Sequence, residues 1–193
     1  MGIRKGEKMK KLLSVLATCV AISGTSNAMA ENGDKTLVAY FSATGNTAEV
    51  AQKLANVTGG DLFEIVAEQP YTSEDLDWQN DQSRASTENN DRSIRPAISS
   101  NVEDMAQYKI VFVGFPIWWG HEPSIIDTFM ESYDFSDKTV IPFATSGSSE
   151  IGETYMNLQS LAPNARVLPG KRFASDVSEE DLKNWADAET ANQ

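Results

Sequence analysis

Thr36-Leu37-Val38-Ala39-Tyr40-Phe41-Ser42-Ala43-Thr44-Gly45-Asn46-Thr47-Ala48-Glu49-Val50 is the stretch that decides the fold. Thr36–Phe41 is almost continuously apolar, the pattern of a strand covered on both faces in a parallel sheet. Beyond the turn, Val50, Ala51, Leu54 and Ala55 recur at helical spacing. The segment therefore reads as buried strand, tight polar turn, amphipathic helix. The turn carries hydroxyls at Ser42, Thr44 and Thr47, and Gly45 can adopt backbone angles that other residues avoid. The helix starting near Thr47 points unpaired N–H groups at the turn, a setting that suits a phosphate. Ordinary helix capping uses the same residue types. No Lys or Arg lies between Ser42 and Gln52, so the turn is not a Walker loop, which sets a Lys beside its Ser/Thr.

Val38–Leu54 resembles the phosphate-loop signature of flavodoxins, with Tyr40, Ser42, Gly45, Thr47, Ala51 and Leu54 at its positions. Ala39 departs from it, a larger apolar residue being usual there. The resemblance implies that Ser42, Ala43, Thr44, Gly45, Asn46 and Thr47 wrap the phosphate of FMN.

The remaining mature chain extends the same alternation. Gly59-Gly60 ends the first helix, as glycine does past a C-terminus, and Leu62–Val66 makes a second strand. Ala67 to about Ala106 is polar and too long for an ordinary connection. Within it, Tyr71, Leu76, Trp78, Arg84, Glu88 and Arg95-Pro96 are similar to a longer excursion of one flavodoxin-like subfamily. Trp78 is expected to pack this excursion onto the domain, with covering a ligand as the alternative. Val102–Gln107 is expected to finish a helix. Lys109–Gly114 is the second strong buried strand, and Ser124–Ser132 is a helical run.

Between them lies Phe115-Pro116-Ile117-Trp118-Trp119-Gly120-His121-Glu122-Pro123. Adjacent tryptophans at a strand end suit a flat aromatic ligand, and neighbours on extended backbone point opposite ways. The loop resembles the isoalloxazine-contacting loop of flavodoxins, and its Phe-Pro-x-x-Trp…Pro frame also resembles that of flavin-dependent quinone reductases. By that resemblance Pro116, Ile117, Trp118, Trp119 and Gly120 contact the flavin, Trp119 matching the ring-contacting tryptophan; for Trp118 the alternative is to face the core. His121 reads as a hydrogen-bonded loop residue, with a proton relay as the alternative. Thr139–Ala144 is a fourth strand, and Thr145, Ser146 and Gly147 at its end fall beside the ring edge by the same resemblance. Ala165–Leu168, resuming at Lys171–Phe173, provides a fifth, and Ser178 caps a last helix whose core face holds Leu182 and Trp185. The fold expected is α/β, a doubly wound, flavodoxin-like, five-stranded parallel sheet of order 2-1-3-4-5 with helices on both faces. In that order ligands sit outside the strand ends, between the first and third strands.

The chain has 193 residues, 40% of them apolar, which suits one globular domain. Arg4, Lys5, Lys8, Lys10 and Lys11 precede the short apolar run 12–23, and Ala28-Met29-Ala30 supplies a signal-peptidase site. Residues 1–30 are thus expected to be a removed signal peptide and 31–193 the domain, exported to the periplasm or beyond. The run is too short for a stable membrane span. Thr18 is bulkier than the residue preferred before an acylated cysteine, so cleavage after Ala30 is expected over lipid anchoring at Cys19. Five of 16 basic and one of 28 acidic residues would leave with the leader, taking the formal charge from −12 to −16. Such a domain should avoid nucleic acid and be steered toward basic partners; the resemblance implies that these are redox partner proteins with basic docking patches, or else that a small quinone-like acceptor is served. Cys19 is the sole cysteine, so its loss removes disulfides, thiolate catalysis and Cys-ligated metals, and one histidine excludes an all-His site.

The functional expectation is an FMN-binding electron carrier with no catalytic side chain and no metal. A cation-free phosphate turn, with Glu122 near the ring, would disfavour negative charge on the reduced flavin. Each tenfold of such disfavour lowers a one-electron potential by about 59 mV. An FMN-dependent NAD(P)H:quinone-type oxidoreductase and a flavin-free binding module are the alternatives.

Overall fold

A computed structural model describes residues 35–191. The leader calls, the cleavage site at Ala30 and Cys19 lie outside the described residues. The first unit is β1 (Lys35–Tyr40), α1 (Asn46–Thr58) and β2 (Asp61–Glu64). β1 pairs in parallel with β2 on one side and with β3 (Tyr108–Pro116) on the other. β3 pairs with β4 (Thr139–Thr145) and β4 with β5 (Arg166–Val167), giving the order β2-β1-β3-β4-β5 expected from the alternation of strands and helices.

The pleat sorts each strand's side chains onto two cores. Leu37, Ala39, Phe41, Val111, Val113 and Phe115 face α3 (Ser124–Ser132) and α4 (Thr154–Leu161). Val38, Tyr40, Phe112, Ile141 and Phe143 face α1 and α5 (Glu179–Thr190). Gly114 stands opposite Phe143 in the β3–β4 register, and the Phe143 ring lies across it: a Cβ there would sit 2.2 Å from Phe143 Cζ. α1 ends at Gly59 with φ 66°, and Ser178 Oγ caps α5 by accepting from Asp181 N at 3.1 Å, both as expected.

Three details differ from the sequence reading. The fifth lane of the sheet is two strands, β5 (Arg166–Val167) and β6 (Lys171–Phe173), each paired with β4, so the sheet has six strands among the described residues. Pro142 supplies the reason. Val140 O accepts from Leu168 N on the β5 side, so Pro142, two residues along, turns its missing N–H toward the same lane. The lane breaks there at Gly170, where φ is 75° and a Cβ would meet Pro142 O at 2.2 Å. Val102–Gln107 yields only a 3-10 turn at Met105–Gln107, because Asp104 caps Ala106 N and Tyr108 already belongs to β3. The excursion contains a short helix, α2 (Arg84–Asn90), capped by Ser83.

Candidate functional site

The first turn leaves the start of its own helix uncapped. Gly45, with φ 93°, is the N-cap of α1, and no side chain caps the helix. The first helical bond runs from Glu49 N to Gly45 O at 3.0 Å, leaving the Asn46, Thr47 and Ala48 amides without helical acceptors. Ser42 Oγ is turned inward and accepts from Gly45 N at 3.1 Å. Thr47 is buried, and its hydroxyl meets that of Thr145 at 2.7 Å, tying α1 to the end of β4. One proton serves that bond, and the second hydroxyl proton of the pair remains free to donate.

The ends of β1, β3, β4 and β6 enclose a cleft of about 370 Å³, with Arg172 of β6 and Ala174 and Ser175 just past it among the lining residues. Ser42, Ala43, Thr44, Asn46 and Thr47 line it from the first turn, Pro116, Ile117 and Trp118 from the second, and Thr145, Ser146 and Gly147 from the third. Gly45 shapes the turn without lining the cleft. A larger cleft of about 670 Å³ shares Ala43, Thr44 and Pro116–Trp118, and adds Trp119, Ser148, Ser149, Leu76 and Trp78.

The tryptophans are set by a tight turn. Trp118 and His121 exchange both backbone bonds at 2.9 Å, and Trp119 and Gly120 between them have φ of 48° and 86°. Two positive φ values with reciprocal bonds mark a type I′ turn. Gly120 provides backbone freedom there and lines neither cleft. Trp118 packs edge-on against Phe41 at 5.7 Å and Tyr71 at 5.6 Å, while its remaining surface walls both clefts. Trp119 is 44% exposed and faces only the larger one. His121 is exposed, is held by its backbone, and lines neither.

Trp78 does not pack the excursion onto the domain: it is 68% exposed and stands over the larger cleft. Tyr71 is the anchor instead. Its hydroxyl donates to Glu88 Oε2 at 2.6 Å, and the Arg84 guanidinium lies 3.9 Å over its ring while donating to Glu88 Oε1 at 2.7 Å. Burial, then the bond to Glu88, pushes the Tyr71 phenol well above its ordinary range. Turns at Thr72–Asp75 and Asp77–Gln79 hold Trp78 above this base.

Glu122 also departs from expectation. It points away from both clefts into a buried cluster, where Arg92 Nη2 donates to Glu122 Oε1 and to Asp127 Oδ2, each at 2.8 Å. Asn157 Nδ2 donates to Glu122 Oε1 at 2.6 Å and to Asp127 Oδ1 at 3.1 Å, while Glu122 Oε2 is buried without a partner. Burial pushes the Asp127 carboxyl up to about 7, Arg92 opposing and the adjoining Glu122 adding to the rise. The cluster fastens the foot of the tryptophan turn to the excursion, to α3 and to α4.

Arg172 is the charged residue among those lining the clefts that the sequence reading missed, beside Leu76, Ala85, Ser148, Ser149, Ala174 and Ser175. It comes from β6 and lines the smaller cleft, so the space beside the first turn is not cation-free. The available signal was alternation: Phe173 belongs to the core on one face, which sends Arg172 to the other.

Residues 35–189 match the flavodoxin family. A solved structure from Bacteroides eggerthii, described as a flavoprotein, shares 48% identity over 80% of this chain and 96% of its own, with a TM-score of 0.76. A second from Bacteroides uniformis, described likewise, shares 47% identity over 80% of this chain and 98% of its own, with the same TM-score of 0.76. A flavoprotein from Lactobacillus acidophilus, solved in complex with FMN, has the same fold at 23% identity and a TM-score of 0.58, over 79% of this chain and 99% of its own. No curated protein matches the chain.

Proposed function

The chain belongs to the flavodoxin family, and from that premise we propose that it binds FMN and works as an electron-transfer protein. One observation carries the reading. A single strand-end edge joins a cleft with unpaired helix amides and hydroxyls to a larger cleft walled by tryptophans. The donor set fits the cofactor: the Asn46, Thr47 and Ala48 amides lack acceptors, and the Arg172 Nε is buried without one. The first turn would hold the phosphate, and Trp118 and Trp119 would hold the ring. FMN, when bound, supplies the redox chemistry.

The residues around the clefts favour transfer without side-chain acid–base help. Among the described residues lining either cleft, Arg172 alone is charged. The low potential inferred from sequence loses two of its supports, since Glu122 turns inward and Arg172 adds a positive charge. The acidic surface remains as its argument, and it also favours redox partners with basic docking patches. Export rests on the leader features of residues 1–30 alone.

A second reading, an FMN-dependent oxidoreductase for a small quinone-like acceptor, is favoured by Leu76 and Trp78. They line the larger cleft beside Trp118 and Trp119, adding apolar surface that suits a small flat acceptor. The first experiment is titration of the purified protein with FMN, followed by flavin fluorescence. Quenching and a bound-flavin spectrum are expected; protein that stays colourless is instead a flavin-free module. Steady NAD(P)H–quinone turnover by the protein alone would replace the carrier with the oxidoreductase.

A further inference from the structure

We infer that Arg172 is the phosphate-selecting residue of the smaller cleft, making the site prefer a phosphomonoester dianion over the same flavin without its phosphate. The inference rests on the FMN reading and adds to it a cation from the far end of the chain.

Arg172 is set differently from the other partly buried arginines. Arg92 and Arg95 are saturated by short charge-assisted bonds, Arg92 to Glu122 and Asp127 at 2.8 Å and Arg95 to Glu131 at 2.8 Å. Arg172 has two long contacts, Nη1 to Ser146 O and Nη2 to Glu150 Oε1, both at 3.3 Å, and its Nε is buried with no acceptor. Its one ionic partner among the described residues, Glu150, has a side chain 76% exposed, and such pairs hold weakly. A buried orphan donor is costly, so a stronger anion brought within reach should displace Glu150.

The place where that anion arrives is already defined. Arg172 shares its cleft with Asn46 and Thr47, whose amides open α1 without acceptors. A guanidinium and a helix N-terminus converging on one space suit a dianion. Around them the chain is strongly acidic, with a formal charge of −12. Its long-range field therefore opposes a phosphate, and selectivity has to come from a local contact. Arg172 also holds the Ser146 carbonyl, while the Ser146 hydroxyl accepts from Ser149 N at 2.9 Å. Drawing the guanidinium toward a phosphate would therefore pull on the loop whose Ser148 and Ser149 wall the larger cleft.

The test titrates the full chain and its R172Q variant with FMN and with riboflavin, following flavin fluorescence at several salt concentrations. R172Q is expected to weaken FMN roughly tenfold or more while moving riboflavin less than about twofold. Riboflavin binding reports that the variant is folded. In the unsubstituted protein, FMN affinity should fall with added salt; the net acidic charge alone predicts that it rises as repulsion is screened. If R172Q does not fold, this salt dependence decides. Equal weakening of both flavins in R172Q, or an FMN affinity that holds or rises with salt, overturns the role of Arg172. Failure of the unsubstituted protein to bind either flavin overturns the FMN reading instead.

Discussion

Replacing Asp127 by asparagine should alter how stability depends on pH, with a sign that the buried cluster dictates. The Asp127 side chain is 3% exposed, and burial outweighs its ion pair with Arg92, placing its carboxyl at about 7 against an ordinary 3.8. The folded protein therefore keeps this proton over a window in which the unfolded chain has lost it. A pKa raised in the folded state stabilises fully below the unfolded value and loses that contribution as pH rises through the folded one. The contribution of Asp127 is thus present below about pH 4 and gone above about pH 7. The rise corresponds to a few kcal/mol at most, lost gradually across that window. An asparagine side chain at this position would keep the shape and never ionise. Urea unfolding of both proteins at half-unit steps from about pH 4 to about pH 8 reads this group together with Glu122, which titrates with it, because the carboxylates outside the cluster cancel in the difference. The unsubstituted protein should lose ground to the D127N variant steadily as pH rises. A difference that stays level across the window, or that moves in favour of the unsubstituted protein, refutes the reasoning.

Thr47→Ala removes the buried bond to Thr145, for about 1 kcal/mol of stability, and is expected to weaken FMN more than riboflavin. Equal weakening in the same fluorescence titration would mean that the phosphate lies elsewhere. Trp119→Asn should raise the thermal midpoint while weakening flavin, since Trp119 sits at φ 48° and left-handed backbone costs a bulky residue about 1–2 kcal/mol. Loss of stability and affinity together would show that no strain is held there. Gly114→Ala should cost about 1–3 kcal/mol by urea midpoint, because its Cβ would fall 2.2 Å from Phe143 Cζ, and F143L in the same chain should recover part of that loss. Purely additive losses in the double variant would show that the two sites do not touch.

Much of the fold could be read because its signals are short-range. The apolar run 36–41, the glycine past it and the 3.6-residue spacing after it specify β1, the turn and α1 within twenty positions or so, and β3 with its loop repeats the scheme. The strand order follows because parallel strands joined by helices have few ways to lie together. What escaped the reading depends on partners far along the chain. Glu122 turns inward because Arg92 lies 30 residues before it and Asn157 35 residues after it. Trp78 stays in the open because Tyr71, Arg84 and Glu88 already anchor the excursion. Arg172 reaches a turn some 125 residues away only through a strand broken by Pro142, a residue whose missing donor was visible and whose consequence was not.

That broken lane bears on how the protein behaves among its own copies. An unbroken outer strand offers a row of free amides and carbonyls on which another chain can grow, the first step toward aggregation. Here one border of the sheet is divided into pieces of two and three residues with a left-handed glycine between them. The opposite border, Asp61–Glu64, is four residues long with an acid at each end. Neither border runs far enough to template a neighbour, so the same proline that spoils the regularity of the sheet helps keep crowded molecules apart.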